Sequence, residues 1–217
     1  MKYIDDESKK IAWYNENVFY LCTLAVIICN VGAFFIGGRS WAPEFSNAEW
    51  TDILNFDNLF AVVLSAFEHS NLQHCLLNSL CFLVAGVYLE RKIGTVNLSI
   101  LVFSLVFFGE CAVKANHQGG SHGFSGVNYG LYAYILVDYL CMFIEKKQTK
   151  INMIYGAIVV ALIYLAACFS GGTAGFSFQW YPYDLITNMG HYTSFLTGAI
   201  LSLLLKFIKW QTVKETK

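Results

Sequence analysis

Charge is scarce in this chain. Asp, Glu, Lys and Arg make up 13% of its 217 residues, against about 25% in soluble globular domains. The hydrophobic share is 56%, with 18 Phe and 13 Tyr, and the mean hydropathy is +0.50. That leaves too little polar surface to coat a water-soluble particle, and lipid is the natural solvent for the excess. CxxC pairs and HExxH strings are absent as well. The seven cysteines, Cys22, Cys29, Cys75, Cys81, Cys111, Cys141 and Cys168, fall within or beside apolar runs. They read as small buried residues, not as a disulfide framework or zinc site. A metal protease is the reading least supported, since there is no HExxH and His117 with His122 form only a loop pair. The formal net charge of −1 excludes a nucleic-acid role built on a basic surface. There is no internal repeat and no low-complexity tract, and the flanking tails are too short to bury a core.

The apolar runs come next. A span needs roughly 20 mostly apolar residues. Six candidates meet or approach that length: Val18–Gly37, Gln73–Tyr88, Thr95–Val113, Ser125–Ile144, Ile151–Phe169 and Leu185–Ile208. The first lacks a small-residue cleavage site and reads as an anchor, not a removed signal. The stretch Leu59–Phe67 is too short to span and reads as interfacial. The expectation is an all-α membrane protein, one membrane domain over residues 1–217 with six spans and a 17-residue cytoplasmic N-terminal tail.

Direction follows from Lys and Arg. With the N-terminus inside, 12 of the 14 basic residues are cytoplasmic, and only Arg39 and Lys114 are not. The outer segment Gly38–Leu72 is acidic, with Glu44, Glu49, Asp52, Asp57 and Glu68. Both termini are therefore expected in the cytoplasm, in a multi-pass protein of the plasma membrane.

Spans two, four and six all begin on the outer side, and each carries polar groups near that end. His74 and Asn78 lie in the first two turns of span two, and Ser125 opens span four. His191 is expected about two turns into span six, near 9 Å of helical rise. Intramembrane polar groups are costly and usually face the bundle interior. Individually they could be interhelical hydrogen-bonding groups, so the coincidence of depth carries the reading. Ser125 also follows a Gly-rich stretch, Gly119-Gly120-Ser121-His122-Gly123-Phe124. Unpaired N–H groups at a helix start can stabilise an oxyanion formed at its first residue. Gly123 and Gly126 would permit close backbone approach. Tyr129, one turn on, shares the Ser125 face and could support a facing imidazole.

Span six carries Gly190, Ser194 and Gly198 at intervals of four, and span four carries Gly126 and Gly130. If these small-residue faces meet, His191 comes beside Ser125. Asp138 lies 13 residues beyond Ser125, about 20 Å along the helix, and cannot orient His191. It reads as an inner-end residue near Lys146 and Lys147. Glu110 has Lys114 four residues on as its natural partner. A Ser125–His191 dyad is therefore expected, with His74 and Asn78 as oxyanion donors.

These strings, in this order, resemble the rhomboid family of intramembrane serine proteases. The likeness runs from about His69 to Gly198. His69-x4-His74-x3-Asn78 resembles the family string opening span two, and Gly86-x3-Glu90-x3-Gly94 the one closing it. Gly123-Phe124-Ser125-Gly126 resembles its G-x-S-G, and Gly190-His191 with Gly198 its general-base region. The resemblance implies a six-helix rhomboid-like bundle that cleaves transmembrane protein substrates near the bilayer surface, with no cofactor and no metal. It implies Ser125 as nucleophile, His191 as base, and His74, Asn78 and the Ser125 N–H as oxyanion hole. His69 and Glu90 match structural positions. Departures are Phe60-Ala61 where the family often has Trp-Arg, and His122 and Ser194 where Gly is usual. Ser194 is expected to loosen packing somewhat. The aromatic outer segment Gly171–Asp184 is either a cap over the site or an interfacial belt. The rival classes are a non-catalytic rhomboid-like protein that binds or escorts membrane proteins, and a small transporter with a polar path continuing inward.

Overall fold

The computed structural model describes residues 20–37, 63–69, 71–115, 123–145, 169–172, 175–178 and 188–215, with isolated positions between 154 and 185. Five long helices order it: α1 (Leu21–Gly37), α2 (Leu72–Ile93), α3 (Thr95–Ala115), α4 (Ser125–Ile144) and α5 (Met189–Glu215). Between α4 and α5 lies an antiparallel pair, β1 (Phe169–Gly172) and β2 (Gly175–Phe178), in register Phe169↔Phe178 to Gly172↔Gly175. The expected helical bundle is present, and the strand pair adds to it where the sequence suggested only an outer connection.

Among the described residues, Leu72–Ile93, Thr95–Val113 and Ser125–Ile144 are long and apolar enough to cross a membrane, and Leu21–Ile36 is a shorter apolar helix. The fifth expected span lies almost entirely outside the described residues. The partition of side chains fits lipid. Large apolar groups such as Leu76, Leu80, Ile100, Phe103, Phe143 and Leu203 are exposed, while Asn78, Glu90, Glu110, Asn128, Asp138 and Ser194 are buried. In hydrocarbon every backbone polar group must be satisfied within its own helix, which leaves side-chain polar groups to the interior.

Local signals set the ends. Asn71 accepts from the His74 N–H at 2.8 Å and caps α2. At the other end Gly94, at φ +84°, turns the chain directly into α3. Helix α2 runs a turn past its expected end at Tyr88. That turn holds Glu90, which is fully buried and caps α1. Its carboxylate accepts from the Cys22 and Thr23 N–H groups, both at 2.9 Å, and from Thr23 Oγ1 at 2.6 Å. Thr95 Oγ1 donates to it from α3 at 2.8 Å. A carboxylate at the start of α1 satisfies orphan donors and suits the helix dipole.

Asp138 closes the end of the bundle away from Ser125. Its described partners are Lys92 on α2 and Lys206 on α5, the latter at 3.1 Å; the expected Lys146–Lys147 layer lies outside the described residues. The small-residue faces of α4 and α5 do meet. A Cβ on Gly198 would run into the carbonyl oxygen and Cα of Gly130, so the two backbones touch. The core is aliphatic and aromatic, with Phe82, Leu89, Leu98, Leu105, Phe124 and Leu131 fully buried.

Candidate active site

Ser125 is the first residue of α4 because Gly123, two residues before it, turns the chain at φ +113°. That conformation strains any side chain but glycine. The next residue, Phe124, is fully buried and anchors the turn between the rings of Phe67 and Phe82, each 5.2 Å away by centroid. The described end of the interfacial stretch, around Ala66 and Phe67, thus packs on the bundle.

His191 is the third residue of α5, nearer the helix start than the expected two turns. Asn188 caps this start, accepting from the Gly190 N–H at 3.0 Å and the His191 N–H at 3.3 Å. His191 Nε2 lies 2.6 Å from Ser125 Oγ. The Tyr129 ring packs on the imidazole with centroids 4.7 Å apart. Each of the two reactive side chains therefore sits in the first turn of its helix. Gly126 and Ser194 hold the helices together just below, at 3.3 Å between the glycine's Cβ position and Ser194 Oγ. Ser194 is buried and donates to the Leu105 carbonyl at 3.2 Å, which ties α5 to α3 where loosening was expected.

His74 and Asn78 face the Gly123 backbone. A Cβ there would lie 2.7 Å from His74 Cε1, 3.1 Å from His74 Nε2 and 3.2 Å from Asn78 Nδ2. Glycine at 123 keeps that space open beside the Ser125 N–H. Asn78 Nδ2 is buried and unpartnered among the described residues. Its Oδ1 accepts from Asn128 Nδ2 at 3.4 Å. Asn128 was not singled out from the sequence, although an amide three residues past Ser125 inside an apolar span is itself a signal.

His69 takes a supporting place. Its Nδ1 is 3.0 Å from the Phe67 carbonyl, and its Nε2 accepts from the Phe124 N–H at 3.5 Å. The carbonyl can only accept, so the proton belongs on Nδ1. Burial, with His74 beside it, pulls the His69 pKa from 6.5 down to about 4, against the Phe67 hydrogen bond. His69 is thus a neutral strut between the connection before α2 and the turn before Ser125.

A cavity of about 20 Å³ opens beside the pair, lined by Gly109, Glu110, Gly123, Gly126, His191 and Ser194 among others. That is room for one water molecule. Glu110 was read from the sequence only as a partner for Lys114, whose side chain lies outside the described residues. Its place on the cavity wall comes from the packing of α3 against α5. His122 and Phe60-Ala61 also lie outside the described residues.

A bundle of apolar helices that holds a Ser–His pair near the starts of α4 and α5 is an integral membrane protein. The family model of the Rhomboid domain matches residues 57–207, and the chain belongs to the rhomboid family. A search of curated proteins finds no match.

Proposed function

We propose that this chain is an intramembrane serine endopeptidase that hydrolyses peptide bonds in or near the transmembrane segments of other membrane proteins. The observation that carries the reading is the 2.6 Å approach of Ser125 Oγ to His191 Nε2 at a glycine-shaped opening. In this reading Nε2 takes the hydroxyl proton as Oγ attacks the scissile carbonyl. The oxyanion is met by the Ser125 N–H, Asn78 Nδ2 and His74. Collapse breaks the C–N bond, and His191 returns the proton to the leaving amine. Water, activated by the same imidazole, then releases the acyl group from Ser125. The substrate must unwind at the cut, so helix-breaking residues there favour cleavage. The Lys and Arg asymmetry supports cleavage on the outer side, in the plasma membrane, with both termini cytoplasmic.

The test is labelling of purified protein in detergent with a serine-directed fluorophosphonate, beside Ser125→Ala and His191→Ala. Labelling of wild type alone is expected. An unlabelled wild type, or equal labelling of all three, sinks the protease reading and leaves a non-catalytic binder of membrane proteins.

A further inference from the structure

We infer that Asn128 is a positioning residue that holds the Asn78 carboxamide with its Nδ2 toward the carbonyl oxygen under attack. The inference rests on the protease reading above. Asn128 is on α4, one turn below Ser125, and both asparagines are buried, at 4% and 6% exposure. A carboxamide has two nearly isosteric orientations, one presenting N–H donors and the other an oxygen acceptor. Only one serves an oxyanion, since the reversed amide would set its oxygen against the developing charge.

The Asn78 backbone carbonyl settles the choice. Asn128 Nδ2 lies 3.1 Å from that carbonyl oxygen and 3.4 Å from Asn78 Oδ1. The carbonyl is fixed in α2 and can only accept, so it requires the NH2 side of Asn128 to face it. The same NH2 group then requires an acceptor at the Asn78 side chain, which turns Oδ1 toward Asn128. Asn78 Nδ2 is thereby sent the other way, toward Gly123, where it lies 3.2 Å from the glycine's Cβ position with no partner among the described residues. One rigid acceptor thus orders two amides in sequence. Asn128 Oδ1 is itself buried and unpartnered among the described residues. A leucine of similar shape would avoid that desolvation cost, so packing alone does not account for an asparagine here.

The test is a double-mutant cycle on the full-length protein, reading the second-order rate of fluorophosphonate labelling and the melting temperature. Asn78→Ala is expected to slow labelling by about 10²–10³-fold, as for loss of an oxyanion donor. Asn128→Leu, acting only through Asn78, is expected to slow it by at least about five-fold. The double variant is then no slower than Asn78→Ala, because the oriented group is already gone. Asn128→Val, equally without a donor, carries the same expectation if the leucine variant does not fold. Wild-type labelling by Asn128→Leu overturns the inference, and so does a double variant slower by the product of the two effects. Either result leaves the protease reading standing, whereas an unlabelled wild type overturns both.

Discussion

At the scale of single residues, protonation decides what His69 can do. His69 must be neutral to act as strut, because its Nε2 accepts the Phe124 N–H and a charged ring has no acceptor. Its pKa falls from 6.5 to about 4, mainly through burial. Between those values the unfolded chain binds more protons at this residue than the folded one, so stability declines with acidification. The contribution is whole above about pH 6.5 and is lost as pH falls through about 4. Thermal unfolding of wild type and His69→Gln in detergent reads this directly. The melting-temperature advantage of wild type is expected to be largest at neutral pH and to shrink on acidification to pH 4. A constant advantage across that range would mean that the ring does not titrate with folding.

At the scale of elements, α4 and α5 act as one unit because they run parallel in a nearly constant register. Ser125 meets His191, Gly130 meets Gly198, and Asp138 meets Lys206. The tightest of these is Gly198 on the Gly130 backbone, where even a methyl group has no room. Gly198→Ala must push the helices apart, and overpacking of this kind costs about 1–3 kcal/mol. Because the shift reaches the Ser125–His191 distance, labelling is expected to slow about ten-fold, since small misplacement of reacting groups is costly. Gly32→Ala is the matched control, because a Cβ at Gly32 meets nothing within 4 Å, and it should leave the rate unchanged and the melting temperature no lower than wild type. Much of this unit was legible beforehand. The bounds Ser125–Ile144 were readable because a Gly-rich string abuts a continuous apolar run, and the small residues at intervals of four named the contact face. Other features left no one-dimensional trace. The Gly86-x3-Glu90-x3-Gly94 string marked Glu90 as structural, but not that it caps the α1 amides or that Lys92, two residues on, pairs with Asp138. The β1–β2 pair comes from FSGG and GFSF, which lack an alternating pattern strong enough to mark strands. Asn128 was missed because part of its hydrogen bonding goes to a backbone carbonyl on another helix.

At the scale of the whole molecule, the two ends of the bundle hold different groups. Ser125, His191, His74 and Asn78 gather at the starts of α2, α4 and α5, and the charged contacts gather at the opposite ends. There, Asp138 holds Lys92 and Lys206, so that one buried carboxylate joins three helices about 20 Å along α4 from the nucleophile. Removing it leaves two ammonium groups to find other solvation. Their side chains are about a quarter exposed, at 25% and 27%, so screening cuts the cost below the 3–5 kcal/mol of a fully buried broken pair. Asp138→Asn is therefore expected to destabilise the protein by about 1–3 kcal/mol, seen as a lower melting temperature. The Gly130–Gly198 and Gly126–Ser194 contacts lie between that end and the reactive pair, and they hold the register without the ion pairs. The folded fraction of Asp138→Asn should accordingly keep its labelling rate within about two-fold of wild type, a loss far smaller than a misplaced reacting group brings. A large fall in rate at unchanged stability would mean instead that the Asp138 ion pairs set the geometry of Ser125 and His191 directly.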